Sequence, residues 1–120
     1  MINRPEIQER FLRESPEMRL GHLASDLARI ASFIEMQLKT EAIKSVIEES
    51  KFFAEWAARD EKPEIQMFLA EIRSFLAQKE SELNFLSNNK EWKKEVSQYV
   101  RACSDGLLKK AGLIDADERS

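Results

Sequence analysis

The side chains that most often bind metals or take part in catalysis are scarce in this chain. It has one histidine, His22, and one cysteine, Cys103. Zinc sites take three or four ligands, mostly from Cys and His, and this chain holds only two such residues. A carboxylate-bridged di-metal bundle needs paired Glu-x-x-His elements, but the residue three positions before His22 is Arg19. The sequence therefore predicts neither kind of metal centre and no cofactor.

His22 has Met18 and Asp26 one helical turn to either side. A functional interpretation would make Met18 and His22 haem ligands, or His22 a base oriented by Asp26. Axial haem ligands lie on opposite sides of the iron, whereas residues four apart on a helix lie on the same side, and no nucleophile accompanies the histidine. We expect His22 to be exposed and uninvolved. Cys103 shares an apolar stripe with Tyr99, which predicts a buried structural thiol.

One lysine, Lys79, falls inside an apolar stripe of a predicted helix. Because burying an amine is costly, we expect its side chain to snorkel to the edge of the fold; the alternative is a pair with a buried acid or a ligand carboxylate. Aromatic residues on the same helix and on the next one suggest a small-molecule pocket near this lysine. The candidate pocket residues are Phe68, Phe75, Lys79, Trp92 and Tyr99.

The densest aromatic cluster is formed by Phe52, Phe53 and Trp56. Phe52 and Trp56 are one turn apart and lie beside the apolar stripe of their helix rather than on it. One interpretation is a widened core face, covered by Ile7 and Phe11 from the start of the chain. The other is an exposed patch that binds a partner or a second copy, because aromatic residues often anchor interfaces.

Composition limits the classes of partner. The net charge is −3 and the pI is about 5.3, so there is no electrostatic reason to expect nucleic-acid binding. A single cysteine rules out an internal disulfide and fits a reducing compartment. We see neither a signal-like start nor an apolar run of membrane-spanning length. We expect a cytoplasmic protein that binds neither nucleic acid nor membrane.

Residues 16–60 contain long apolar stripes at helical spacing. In the first half the apolar positions alternate in steps of three and four: Leu20, Leu23, Leu27, Ile30 and Ile34. Consecutive steps of four then follow, which would rotate the stripe by roughly 120° around one straight helix. We therefore predict a break near Lys39 and Thr40, with Thr40 as a helix N-cap. No Gly, Pro or Asn marks this break, which leaves one continuous helix as the alternative.

The remaining helices have clearer limits. Pro5 to Glu14 reads as a short first helix, and Ser15-Pro16-Glu17 is a strong start signal for the second. A new helix begins at Pro63 and runs to about Leu86. After the polar turn of Ser87, Asn88 and Asn89, another continues until Gly112 and Leu113 fold back in a left-handed stop.

These segments predict an all-α protein: an up-down-up-down four-helix bundle with an additional short N-terminal helix. The alternative is one long helix over 16–60 packed on two shorter helices. We expect one domain, with a helical arm over 1–14, the bundle over 15–111 and a frayed tail over 112–120.

The sequence contains no reactive constellation, but it has surplus aromatic surface. We therefore expect a non-catalytic protein that acts by protein–protein interaction, with self-association as a homodimer through Phe52, Phe53 and Trp56. A small-molecule-binding bundle with a pocket near Lys79 is the alternative.

Overall fold

The computed structural model describes residues 4–114, so positions 115–120 of the predicted tail and the first three residues of the arm lie outside it. The described part of the chain is helical and contains no strand, which confirms the all-α prediction. The helices are α1 (Arg4–Arg13), α2 (Pro16–Glu35), α3 (Thr40–Ala57), α4 (Pro63–Leu86) and α5 (Lys90–Lys110), with a 3-10 turn at Ala58–Asp60 between α3 and α4.

Helices α2 to α5 form the predicted up-down-up-down bundle. Helix α2 packs against both α3 and α5, α3 packs against α4, and α4 closes the ring against α5. Two contacts show that α2 and α5 are antiparallel: the hydroxyl of Ser104 on α5 donates to the Ala24 carbonyl oxygen on α2 at 2.8 Å, and Arg101, earlier on α5, binds Glu35 at the end of α2. Between α2 and α3, Arg29 binds Glu49. The short helix α1 lies outside this ring, on α3.

The predicted apolar stripes form the core. All five stripe residues of α2 are buried, and so are most of the stripe residues of α4 and α5. Among the most deeply buried side chains are Leu23, Leu27, Ile30, Ile47, Leu69, Ile72, Leu76, Val96 and Val100. Burial of these side chains is the main force that stabilises the fold, because no disulfide contributes.

The predicted break between α2 and α3 is confirmed, and one long helix over 16–60 is therefore wrong. Helix α2 ends in a turn in which Gln37 has a positive φ of 58°. The Leu38 N–H donates to the Phe33 carbonyl oxygen at 3.0 Å, and the Gln37 N–H donates to Ile34 at 3.1 Å. This is the Schellman pattern with a glutamine where glycine is usual. Thr40 is not the N-cap: it is the first residue of α3, and Lys39 precedes it without a side-chain cap.

Other helix ends follow the sequence signals. The hydroxyl of Ser15 accepts from the Met18 N–H at 3.2 Å, with Pro16 in the first turn of α2. Gly112 has a φ of 76°, as the predicted left-handed stop requires. The chain then folds back so that Leu113 touches α2: a Cβ added at Gly21 would lie 2.9 Å from the Leu113 Cδ1.

Candidate interaction site

The aromatic face of α3 carries the three residues that the sequence singled out. Phe52 and Trp56 are stacked with 5.6 Å between ring centroids, and Phe53 lies 5.9 Å from Trp56. The indole is buried, with 4% of its surface exposed, whereas Phe52 and Phe53 are half-buried. The structure therefore brings these rings into one continuous cluster, which we call the α3 aromatic face.

Helix α1 covers much of this face. Phe11, the one buried residue of α1, stacks on Phe53 with a centroid distance of 4.3 Å and lies 5.9 Å from Trp56. At the other end of α1, the guanidinium of Arg4 lies 4.8 Å above the Phe52 ring, within cation–π distance. The open patch is thus not seen in this conformation, because the chain's own first helix occupies it. Part of Phe52 remains accessible to solvent.

A buried arginine holds the end of α1 in place. One Arg19 guanidinium nitrogen donates to the Leu12 carbonyl oxygen and the other donates to Asp60 Oδ2, both at 2.7 Å. Arg19 stands in the second turn of α2, and Asp60 ends the 3-10 turn after α3. This arrangement, the Arg19 clasp, ties the last turn of α1 to two other elements. An unpaired carbonyl at a helix end accepts such a donor readily.

The second group of predicted site residues lies where α4 meets α5. Phe75 stacks on Tyr99 with 3.7 Å between centroids, and the Lys79 amine lies 5.2 Å from the Phe75 centroid. That amine also lies 3.2 Å from Oε1 of both Glu82 and Glu95. The amine of Lys79 does not snorkel into solvent, because its side chain is only 6% exposed. It pairs with acids, but these are not buried as the stated alternative required: the side chains of Glu82 and Glu95 are 27% and 58% exposed.

Trp92 belongs to the same network. Its indole N–H donates to Glu82 Oε1 at 2.9 Å, the oxygen that also faces Lys79. This bond, with the lysine as a further donor, holds the pKa of Glu82 below its ordinary value. Phe75 thus contacts both Tyr99 and Lys79, and the polar groups of Lys79 and Trp92 are bound by glutamates rather than left free for a ligand.

Phe68 lies apart from the other predicted pocket residues. Its ring packs on Gly106 of α5, where an added Cβ would lie 3.4 Å from Phe68 Cζ, and the Lys110 amine lies 5.3 Å from its centroid. From one contact to the next, the residue number rises on α4 by as much as it falls on α5, as antiparallel helices require. The contacts are Phe68–Gly106, Phe75–Tyr99, Lys79–Glu95 and Glu82–Trp92. This register spreads the predicted pocket residues along the whole α4–α5 seam.

Two open grooves lie beside α5, and Lys79 lines neither of them. One of about 330 Å³ lies between α2 and α5, and another of about 440 Å³ lies along α5. The lining of the first is Ile34, Glu35, Gln37, Lys93, Lys94, Ser97 and Gln98; that of the second is Glu91, Lys94, Glu95, Gln98 and Tyr99. Tyr99 is the one predicted pocket residue that these two grooves expose.

A carboxyl group that the sequence did not single out as a buried site lies between α2 and α3. Asp26 is buried, its Oδ1 accepts from Arg29 at 3.1 Å, and its Oδ2 has no hydrogen-bond partner among the described residues. Burial, together with the neighbouring carboxyl of Glu49, whose negative charge opposes ionisation, raises the pKa of Asp26 to about 8. This environment favours the neutral, protonated form of Asp26.

The isolated histidine and cysteine are placed as the sequence suggested. His22 is exposed, and its Nε2 lies 3.8 Å from Glu14 Oε1. Cys103 is buried, and burial raises the pKa of its thiol, which disfavours the reactive thiolate. Within residues 4–114, no three His, Cys, Asp or Glu side chains cluster so as to hold a metal ion, and no helix is long and apolar enough to cross a membrane.

Two features of the surface escaped sequence reasoning. The Arg19 clasp depends on three segments that meet only in the folded chain. Phe85 is 83% exposed and Met67 is 67% exposed, both on the side of α4 turned away from the bundle. A signal for these two was available, because both lie off the regular apolar stripe of α4.

Comparisons with family models, with curated proteins and with solved structures found no match for this chain.

Proposed function

We propose that this protein acts by binding protein rather than by catalysis, that it associates with itself, and that the α3 aromatic face is the binding surface. The observation that carries this proposal is the mode of docking of α1. A short amphipathic helix lies on the face and inserts one phenylalanine, Phe11, against Phe53 and Trp56. That is the geometry in which helical ligands bind grooves of helical proteins.

The cover is weak enough to be replaced. Helix α1 has ten residues and buries only Phe11 completely, while Ile7 and Leu12 are half-buried. An isolated helix of this length is marginal in water, so its docking depends on the anchor and on the Arg19 clasp. A competing helix with a similar aromatic anchor would gain the same stacking contacts.

The state of the titratable groups supports a role without catalysis. Lys79 is paired with two carboxylates, Asp26 holds its proton away from solvent, and Cys103 has a raised pKa. None of these groups lines the two open grooves. The small-molecule alternative has less support, because Phe75, Lys79 and Trp92 lie in a packed network. The single buried cysteine is consistent with the proposed cytoplasmic location.

Light scattering on the full chain tests the proposal. We expect the molar mass to rise above 14.0 kDa with concentration, between about 1 µM and about 1 mM. Phe52→Ser removes an accessible part of the α3 aromatic face without emptying the core, and we expect it to raise the concentration needed for association at least about tenfold. Trp56 is a poorer choice, because its burial makes substitution a stability experiment.

Phe85→Ser is the matched control. It removes the same kind of ring from α4, where Phe85 is more exposed than Phe52 and lies far from it in the sequence. We expect it to associate like the wild type. A wild type that stays at 14.0 kDa throughout would contradict self-association. Loss of association in Phe85→Ser but not in Phe52→Ser would move the interface from α3 to α4.

A further inference from the structure

We infer that two copies associate by exchanging α1, so that the first helix of each chain lies on the α3 aromatic face of the other. This deepens the proposed function, on which it rests, by naming the occupant of the face. The occupant is already visible in one chain: the α1 that covers its own α3. A second copy carries an identical helix and an identical acceptor.

The contacts of α1 are of a kind that exchange preserves. Phe11 meets Phe53 and Trp56, Arg4 meets Phe52, and the Leu12 carbonyl meets Arg19. The residues that α1 contacts all lie on α2 and α3, which follow the α1–α2 connection in the sequence. In the exchanged dimer each contact therefore reforms between chains. In the Arg19 clasp, Arg19 then binds the Leu12 carbonyl of the other copy and Asp60 of its own chain.

The connection between α1 and α2 is the hinge of this exchange. It consists of Glu14 and Ser15, and Pro16 follows at once. Ser15 is already extended, with φ −65° and ψ 158°, the region that a following proline favours. The proline also opposes fusion of α1 and α2 into one helix. Few residues of this hinge must change conformation to send the arm to a neighbour.

The energetic argument follows from these two points. Closed monomer and exchanged dimer share the same helix contacts, so they differ chiefly in the hinge and in the entropy of association. Concentration then decides between them. The exchange also explains how an acceptor face covered in the monomer serves as an interface without exposing a bare apolar surface.

Complementation between two variants tests the exchange. Phe11→Ala removes the anchor of the arm and leaves its acceptor, the α3 aromatic face, intact. Phe53→Ala removes a ring from that acceptor and leaves the arm intact. Neither variant alone can form the Phe11–Phe53 stack. In a mixed dimer, however, the intact arm of one chain meets the intact acceptor of the other and restores one of the two stacks.

Each substitution removes the stack from the closed monomer and from the exchanged dimer alike, so we expect each variant alone to associate at about the wild-type concentration. Only the mixed dimer regains a stack, so we expect light scattering to show association of the equimolar mixture at a concentration about tenfold lower. Circular dichroism of each variant verifies that the helices remain. A mixture that behaves as the average of its components would overturn the exchange. If the wild type still associates in that case, binding through the α3 face without exchange stands.

A hinge variant gives a second, independent readout. Deleting Glu14 prevents the arm from reaching its own acceptor in register but leaves the path to a neighbour, so we expect a dimer at concentrations at least about tenfold lower than for the wild type. Glu14→Ala, which changes the same residue without shortening the connection, is the matched control and should associate like the wild type. A Glu14 deletion that stays monomeric across the whole concentration range would also overturn the exchange, as would a wild type that never exceeds 14.0 kDa.

Discussion

The α4–α5 seam and the α2–α3 seam each bury one ionisable side chain, and they accommodate it in opposite ways. Lys79 in the α4–α5 seam lies 3.2 Å from two carboxylates and over the face of the Phe75 ring. Asp26 in the α2–α3 seam has one oxygen bound to Arg29 and the other without a partner among the described residues. Its pKa rises to about 8.

The difference between the seams lies in what the opposite helix supplies. Helix α5 presents Glu95 and the indole N–H of Trp92 to the α4 network, so that opposite charges and a donor meet. Helix α3 presents Glu49 to Asp26, so that two acids meet and share Arg29. An ion pair compensates desolvation in the first seam, whereas protonation removes the charge in the second.

Of the substitutions that test this difference between the seams, that of Lys79 should change the free energy of unfolding most. Lys79→Ala removes both the ion pairs and the packed aliphatic stem, and we expect a loss of about 2 to 3 kcal/mol in the free energy of unfolding. Urea denaturation measures this loss. Lys79→Met keeps most of the packing, so a wild-type stability for that variant would show that the ion pairs contribute little. Lys94→Ala, on the exposed side of α5, is the control and should change stability by less than about 0.5 kcal/mol.

Asp26→Asn should increase the free energy of unfolding, whereas Lys79→Ala should decrease it. The unfolded carboxyl loses its proton near the ordinary value of 3.8, but the folded one holds it until about pH 8. Between these values the folded state binds more protons, so this group lowers the wild-type free energy of unfolding as the pH rises. Asparagine removes that penalty because it cannot ionise. We expect it to stabilise by about 1 to 3 kcal/mol above about pH 8 and to be neutral near about pH 4.

Denaturation of both proteins at these two pH values checks the expectation, and the difference between them cancels other titrating groups. A stabilisation by Asp26→Asn that is equal at both pH values would show that the carboxyl is already ionised in the fold. Asp26 would then resemble Lys79, and the contrast between the seams would disappear.

Sequence reasoning reached the helices because their signals are local. The steps of three and four fixed the buried stripes, and the change to repeated steps of four located the α2–α3 break although no glycine or proline marks it. The same reasoning misplaced the N-cap at Thr40, because the turn is formed by Gln37 in a left-handed conformation that glutamine seldom adopts.

Contacts between helices were harder to predict, because they depend on the register of one helix against another. The pattern of α4 showed that Lys79 faces inward, but not that Glu95 would lie opposite it. Asp26 was considered only as a partner of His22, whereas its strongest neighbour is Glu49 on α3. The cover of α1 on Phe53 was one of two interpretations, and the sequence alone could not choose between them.

Trp92→Phe should have the smallest effect and gives the finest measurement of the α4–α5 seam. The ring is kept, but the N–H bond of 2.9 Å to Glu82 Oε1 is lost. We expect the free energy of unfolding to fall by less than in Lys79→Ala, because water can reach that carboxylate and replace part of the bond. The same oxygen accepts from Lys79, so the effects of Trp92→Phe and Lys79→Ala should not add in the double variant. Additive losses would mean that the lysine and the indole act independently, and the seam would then be two separate contacts rather than one network.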